Sequence, residues 1–355
     1  MSQSLTLYAG PAALKSIAEN GLTADLFEVF AGAAGGPKWF TLHGLDQYLF
    51  EDFLPQKKQP LYTIGSSAGA WRISCLAQKE PKKAIDRLAE KYSIETYSAK
   101  PDAAEISAGA RIMLDYVLGE NGAHEIIHNP KIQTHLVTNR CKGLLVSEKP
   151  LIQMLGLATS AFANLVSRST LQYFFERVIF HSNLDTSGHF KLDTFDTTQV
   201  ALVAENFKQV LLASGSIPVV LEGIKDIPGA PDGIYRDGGI TDYHFDFKFT
   251  NNDKLVLYPH FSRTVLPGWF DKQVPWRSIT PGYYDNVLLL VPSTEHVAKL
   301  PYGKISDRKD FQVLDAESRI RYWKTVLSES RRLGDEFQEM VEGSLNIDTI
   351  RPLFP

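Results

Sequence analysis

The chain has 355 residues, enough for one large domain or two ordinary ones. Its 44% hydrophobic and 22% charged composition is that of a water-soluble globular protein, and a formal net charge of -4 argues against the basic face that nucleic-acid binding needs. Two cysteines, Cys75 and Cys141, with no C-x-x-C pair, exclude a thiolate metal cluster and fit a reducing compartment.

No cationic segment followed by an apolar one opens the sequence, so no signal peptide is expected. The longest apolar runs, such as "NVLLLVP" at 286–292, fall far short of the roughly 20 residues of a membrane span. The expected location is cytoplasmic, with any membrane contact peripheral.

In chain order, "LFEVFAG" (26–32) reads as a strand running into the glycine-rich turn Gly32-Ala33-Ala34-Gly35-Gly36. Pro37 then stands at a first helical position, and a helix is expected over 38–54. "LYTIG" (61–65) reads as a second strand, followed by a helix over "SAGAWRISCLAQ". A charged helix covers 80–93, strands follow at 134–140 and 177–182, and 196–214 reads as mostly helical. Two further strands fall at 254–261 and 286–291, before one long amphipathic helix over 315–342. This alternation predicts an α/β fold with a central, mostly parallel sheet sandwiched by helices.

Residues 95–130 and 150–176 read as insertions on that sheet. No repeat or linker divides the chain, so a single domain over 1–355 is expected, with a motif-bearing core at about 26–250 and a C-terminal extension at 251–355. The apolar stretch 151–166 fits an ordinary buried helix better than a lid or an acyl-chain wall. The aromatics of "GWFDKQVPWR" (268–277) fit packing onto the core better than an interfacial loop.

Three short elements carry chemistry. Gly65-Ser66-Ser67-Ala68-Gly69 is a G-x-S-x-G between a strand and a helix. Such a turn lifts the central serine, Ser67, above the strand edge and aims the amides of the following helix at developing negative charge. The upstream Gly35-Gly36 turn exposes consecutive N–H groups that suit a phosphate or an oxyanion. It matches neither the P-loop nor the dinucleotide pattern. The third element, Asp237-Gly238-Gly239, sets a carboxylate at a strand end.

A serine needs a base. His260 and His296 lie downstream of Asp237 and would permit a Ser–Asp–His order, but neither sits in a recognisable Gly-His loop. The sequence leans toward a carboxylate base.

Together, and in this order, these elements resemble the patatin-like phospholipase family, with its glycine-rich oxyanion loop, G-x-S-x-G and late D-G-A/G. "AGGPKW" (34–39) resembles the first motif, with Gly35, Gly36 and the basic Lys38 in place. "GSSAG" (65–69) matches the second, and "DGG" (237–239) the third. "LLASGSIPVV" (211–220) looks like the segment that precedes the aspartate motif in that family. Ala33, Ala34 and Trp39 depart from the family's first loop, and no motif ties 251–355 to it.

The resemblance implies a patatin-like acyl-hydrolase fold and a Ser67–Asp237 dyad. It also implies an oxyanion hole from Gly35, Gly36 and Ala68, and a lipid or acyl-ester substrate. Gly65, Gly69, Gly238 and Gly239 would shape the turns, and Lys38 would support the loop or a lipid phosphate. No metal and no cofactor is implied. Acyl transfer or thioester cleavage by the same dyad, or lipid binding with weakened catalysis, are the alternatives.

Overall fold

The protein is described by a computed structural model covering every residue except 1–2, 184, 186–189, 193–194, 250–253, 281, 345 and 355. Its frame is one sheet. In chain order the strands are β1 (Leu5–Ala9), β2 (Phe27–Gly32), β3 (Leu61–Ser66), β4 (Ile132–Cys141), β5 (Phe175–His181), β6 (Thr197–Ala201), β7 (Ile224–Lys225), β8 (Ile234–Asp237), β9 (Leu255–Pro259), β10 (Val287–Pro292) and β11 (Arg351–Pro352). Across the sheet they run β11-β1-β10-β9-β2-β3-β4-β5-β6, with β8 paired to β4 and β7 to β8. The middle run from β10 to β4 is parallel throughout.

The helices are α1 (Pro11–Asn20), α2 (His43–Tyr48), α3 (Ala68–Leu76), α4 (Pro81–Ser93), α5 (Ala103–Leu118), α6 (Gly122–Ile127), α7 (Pro150–Val166), α8 (Ala204–Gly215), α9 (Thr294–Lys299), α10 (Asp310–Val313), α11 (Ala316–Glu329) and α12 (Arg331–Glu339). The fold is α/β, a mostly parallel sheet flanked by helices.

The central strands are apolar on both faces, as a covered parallel sheet requires. Leu255 and Leu257 of β9 join one core with Trp71, Leu88 and Trp323 from the helices. Val256 and Tyr258, pointing the other way, join a second core closed by Tyr243, Phe245, Phe247 and Phe249. Residues 251–355, read from sequence as an extension, supply β9 and β10 between β1 and β2.

Strand β4 positions the site. On one edge β5 pairs with all of His135–Cys141. The other edge is shared. β3 runs parallel along Ile132–Val137 and ends with Ser66 opposite Val137. β8 enters antiparallel from the far end and stops with Asp237 opposite Thr138. Two strand ends therefore meet head-on along a single template strand.

Four local expectations change. Residues 196–214 split into β6 and α8, because Thr197–Ala201 pairs in parallel with Arg177–His181; the threonines favour the pleated edge. The long C-terminal helix divides into α11 and α12 at Ser330. There the Ser330 hydroxyl donates to Leu327 O (2.7 Å) and accepts from the Gly44 amide of α2 (2.9 Å). Residues 38–54 begin as a 3-10 helix (Gly36–Leu42), pass through α2, and widen at Leu49–Phe53. Finally, 151–166 forms helix α7 as expected, but it is not an ordinary buried helix: its apolar residues Leu151, Met154, Leu155 and Phe162 face outward.

Candidate active site

Ser67 occupies the single residue between β3 and α3, at φ 52° and ψ -128°. A non-glycine residue at positive φ is strained, and such strain is held only when its surroundings determine it. Here they do. The Ser67 amide donates to Ser214 Oγ (3.0 Å), which itself donates to Val137 O (2.7 Å). Next door, Ser66 Oγ donates to Asp242 O (2.6 Å). The turn also needs glycine at Gly69, where a Cβ would stand 1.8 Å from Gly32 O. That approach clamps the two adjacent strand-to-helix turns together.

Ser67 Oγ donates a 2.8 Å hydrogen bond to Asp237 Oδ2. The other oxygen, Oδ1, accepts from the Gly239 amide (2.7 Å). Glycine at 238 is required by packing, since a Cβ there would lie 2.2 Å from Val137 O. Asn139 Nδ2 donates to the carbonyls of Asp237 (2.9 Å) and Gly238 (3.1 Å). Behind this, Arg177 makes a buried bidentate pair with Asp242, both contacts 2.7 Å, which anchors the chain after the aspartate motif. Arg72 of α3 makes a second such pair with Asp46 of α2, at 2.6 and 2.8 Å. Both are charge-assisted fork geometries.

Burial pushes the Asp237 carboxyl up to about 6, against the opposing effect of the hydrogen bonds from Ser67 and Gly239. It remains mostly ionised at neutral pH, with raised basicity, which suits a general base.

The two histidines lie elsewhere. His260 is fully buried between Phe261 and His244, its Nδ1 engaged with Ser262, and burial lowers it to about 3. His296 sits on α9, whose N-cap is Ser293. The hydrogen bond of Ser67 Oγ goes to Asp237 and to neither ring.

Of the amides expected around an oxyanion, Gly36 and Ala68 border the same cavity as Ser67. Gly36 adopts φ 56° and opens a 3-10 helix, and Ala68 opens α3. First-turn N–H groups have no partner within their helix, so both suit an anion. Gly35 packs its Cα face against Phe261. Lys38 pairs with Asp307 (3.4 Å) and lies over the Phe261 ring.

The cavity has a volume of about 690 Å³. Trp39, Trp71, Leu88, Ile106, Met113 and Val220 give it a mainly apolar wall, and Arg308 contributes a guanidinium. Helix α5, part of the expected insertion at 95–130, thus forms one side of it. The sequence did not single out Arg308, Asn139, Asp242 or Ser214. Of these, Ser214 lies within the motif-like segment "LLASGSIPVV". The lone arginines in apolar segments, Arg72 and Arg177, were the signal for the buried pairs.

No protein-family model matches the chain, and no curated protein matches it. Among solved structures it is similar to VipD from Legionella pneumophila, at 14% identity and a TM-score of 0.37, over 95% of this chain and 71% of that one. It is also similar to human GIVD cytosolic phospholipase A2, at 12% identity and a TM-score of 0.43, over 95% of this chain and 62% of that one. The same human protein in complex with a methyl gamma-linolenyl fluorophosphonate inhibitor gives 9% identity, a TM-score of 0.39, and 96% and 63% coverage. The chain thus spans less than two thirds of the human protein's length. These likenesses are distant, and the chemistry of this chain is read from its own residues.

Proposed function

We propose that this chain is a lipid acyl hydrolase that cleaves acyl esters through a Ser67 acyl-enzyme, with Asp237 as the base. The observation that carries this reading is the 2.8 Å hydrogen bond from Ser67 Oγ to the buried Asp237 carboxylate, at the wall of a mainly apolar cavity of about 690 Å³.

Asp237 takes the Ser67 proton as Oγ bonds to the ester carbonyl carbon. The carbonyl oxygen becomes the oxyanion, within reach of first-turn amides at Gly36 and Ala68 and of the Gly35 turn. Losing one such donor typically costs about 10²–10³ in rate. Collapse breaks the C–O bond, and the leaving alcohol takes the proton from Asp237. Water then attacks the acyl-enzyme and gives a proton to Asp237. The second collapse returns that proton to Ser67 and releases the carboxylic acid. The apolar walls suit an acyl chain, and Arg308 suits a phosphate-bearing head group.

The test is covalent labelling by an alkyl fluorophosphonate, with hydrolysis of p-nitrophenyl esters of graded chain length. Wild type should label and hydrolyse, and Ser67→Ala should do neither. A Ser67→Ala protein with full esterase activity would overturn the proposal.

A further inference from the structure

Helix α7 is built inside out. Its buried stripe is Gln153, Gly156, Ser160 and Asn164, one residue per turn, all small or polar. These are the residues that hold it down. Gln153 Nε2 donates to Ser147 O (3.0 Å), and Gln153 Oε1 accepts from the Val219 amide. Asn164 Nδ2 donates to Asp271 Oδ1 (2.8 Å), and Arg277 Nη2 donates to Asn164 O (2.7 Å). The opposite face carries Leu151 (82% exposed), Met154, Leu155, Phe162 (72%), Leu165 and Val166 (78%). The adjoining turn Gly143–Val146 adds exposed Leu144 and Val146. A soluble surface rarely carries an apolar patch of this extent without a use.

Three observations specify what covers it. First, no charged residue occurs from Pro150 to Val166, while exposed Lys149 caps the N-terminal end and Lys142 precedes the adjoining turn. The neighbouring acids are engaged: Glu148 pairs with Arg236 (2.7 Å), and Asp271 lies buried beside Arg168 and Arg277. The charge left at the helix's entry is positive and complements an anionic surface. Second, Tyr173 and Trp276 are exposed at 72% and 71% near the C-terminal end of α7, Trp276 adjoining the Arg277 that bonds Asn164. Amphipathic rings of this kind favour the water–lipid boundary. Third, the Gln153–Val219 hydrogen bond joins α7 to the segment whose Ile217, Val219, Val220 and Leu221 line the cavity that holds Ser67. The helix is thereby fixed to the wall of that cavity. Seventeen residues give a helix of about 26 Å, and no helix among the described residues is long and apolar enough to cross a membrane. The geometry is that of a helix lying in the interface plane.

We propose that α7 and the turn Gly143–Val146 dock this protein on an anionic lipid bilayer. This deepens the acyl-hydrolase reading by assigning the source of its substrate, though docking does not itself require the chemistry.

The test is flotation of the full chain with phosphatidylcholine–phosphatidylglycerol vesicles and with phosphatidylcholine alone. Wild type should float with the anionic vesicles, less with the neutral ones, and less again as salt rises. Leu155→Asp and Phe162→Asp, both at exposed positions outside the cavity lining, should each lower partitioning about tenfold or more. Both should keep wild-type hydrolysis of soluble p-nitrophenyl butyrate, and Ser67→Ala should float like wild type. Absence of wild-type flotation, or flotation unchanged in both variants, would overturn the proposal. So would a wild-type dimer in light scattering that the variants dissolve without any flotation, which assigns the face to a second copy of the chain. Flotation retained by a wild type that hydrolyses no ester would sink the acyl-hydrolase reading and leave the docking surface standing.

Discussion

Ser66 and Asp237 are held one step apart along β4, Ser66 registered against Val137 and Asp237 against Thr138. The parallel strand that delivers Ser67 and the antiparallel strand that delivers Asp237 end against each other on the same edge. A one-residue slip of either would turn its side chains to the other face of the sheet. The 2.8 Å contact between Ser67 and Asp237 is thus a product of register.

Under the proposed mechanism the raised Asp237 carboxyl sets an acid limb for activity. A base must be ionised, so kcat/KM for a neutral ester should rise about tenfold per pH unit below pH 6 and flatten above it. A pH–rate profile between pH 4.5 and 8.5 checks this, approximate bounds that bracket the expected inflection. A plateau reaching to the low end would remove Asp237 as the base.

The same shift has a stability consequence of opposite sense to that of a salt-bridged aspartate. The folded value, about 6, lies above the ordinary 3.8. Between these values the native state binds more protons than the unfolded one, so stability falls as pH rises through that window. Above about pH 6 the cost of burying the charge is complete. Asp237→Asn avoids it, so urea melts should show this variant about 3 kcal/mol more stable than wild type at pH 8 and equal to it below about pH 4. Hydrolysis should be lost at both.

Ser214→Ala removes the acceptor of the Ser67 amide and the donor to Val137 O. Two buried backbone groups then lack a partner, at a cost of about 1–3 kcal/mol. Because Ser214 holds the turn without bordering the cavity, kcat should fall while KM stays near wild type. Steady-state kinetics beside a thermal melt separate this positioning effect from simple unfolding.

Gly69→Ala forces a Cβ to 1.8 Å from Gly32 O, backbone against backbone. Neither the end of β2 nor the first turn of α3 can yield without disturbing the Ser67 turn, so a loss of about 3 kcal/mol or more is expected. Soluble yield and melting temperature check it.

The sequence showed the two glycine-bearing turns and Asp237 because close backbone approach and positive φ restrict residue choice, and such restriction is local. The partners of β4 were hidden because β8 reaches it across about a hundred residues, and pairing at that range leaves no mark in periodicity. β1, "LTLYA", was not read as a strand, and its partner β10 lies about 280 residues away. For α7 the helix was legible and its orientation was not. Periodicity shows that a helix has two faces, and what decides which one turns inward is the set of groups waiting to bond it, here Ser147, Val219 and Asp271.

The position of β9 fixes an order of events during synthesis. β2, which leads into the glycine-rich turn, pairs with β3 on one side and β9 on the other. Ser67 leaves the ribosome early, Asp237 many residues later, and β9 later still. A nascent chain therefore carries Ser67 for a long stretch of its synthesis without Asp237 beside it and with one side of β2 open. The contact between Ser67 and Asp237 can form only after both strands that carry them have been made, and β2 gains its second neighbour later again.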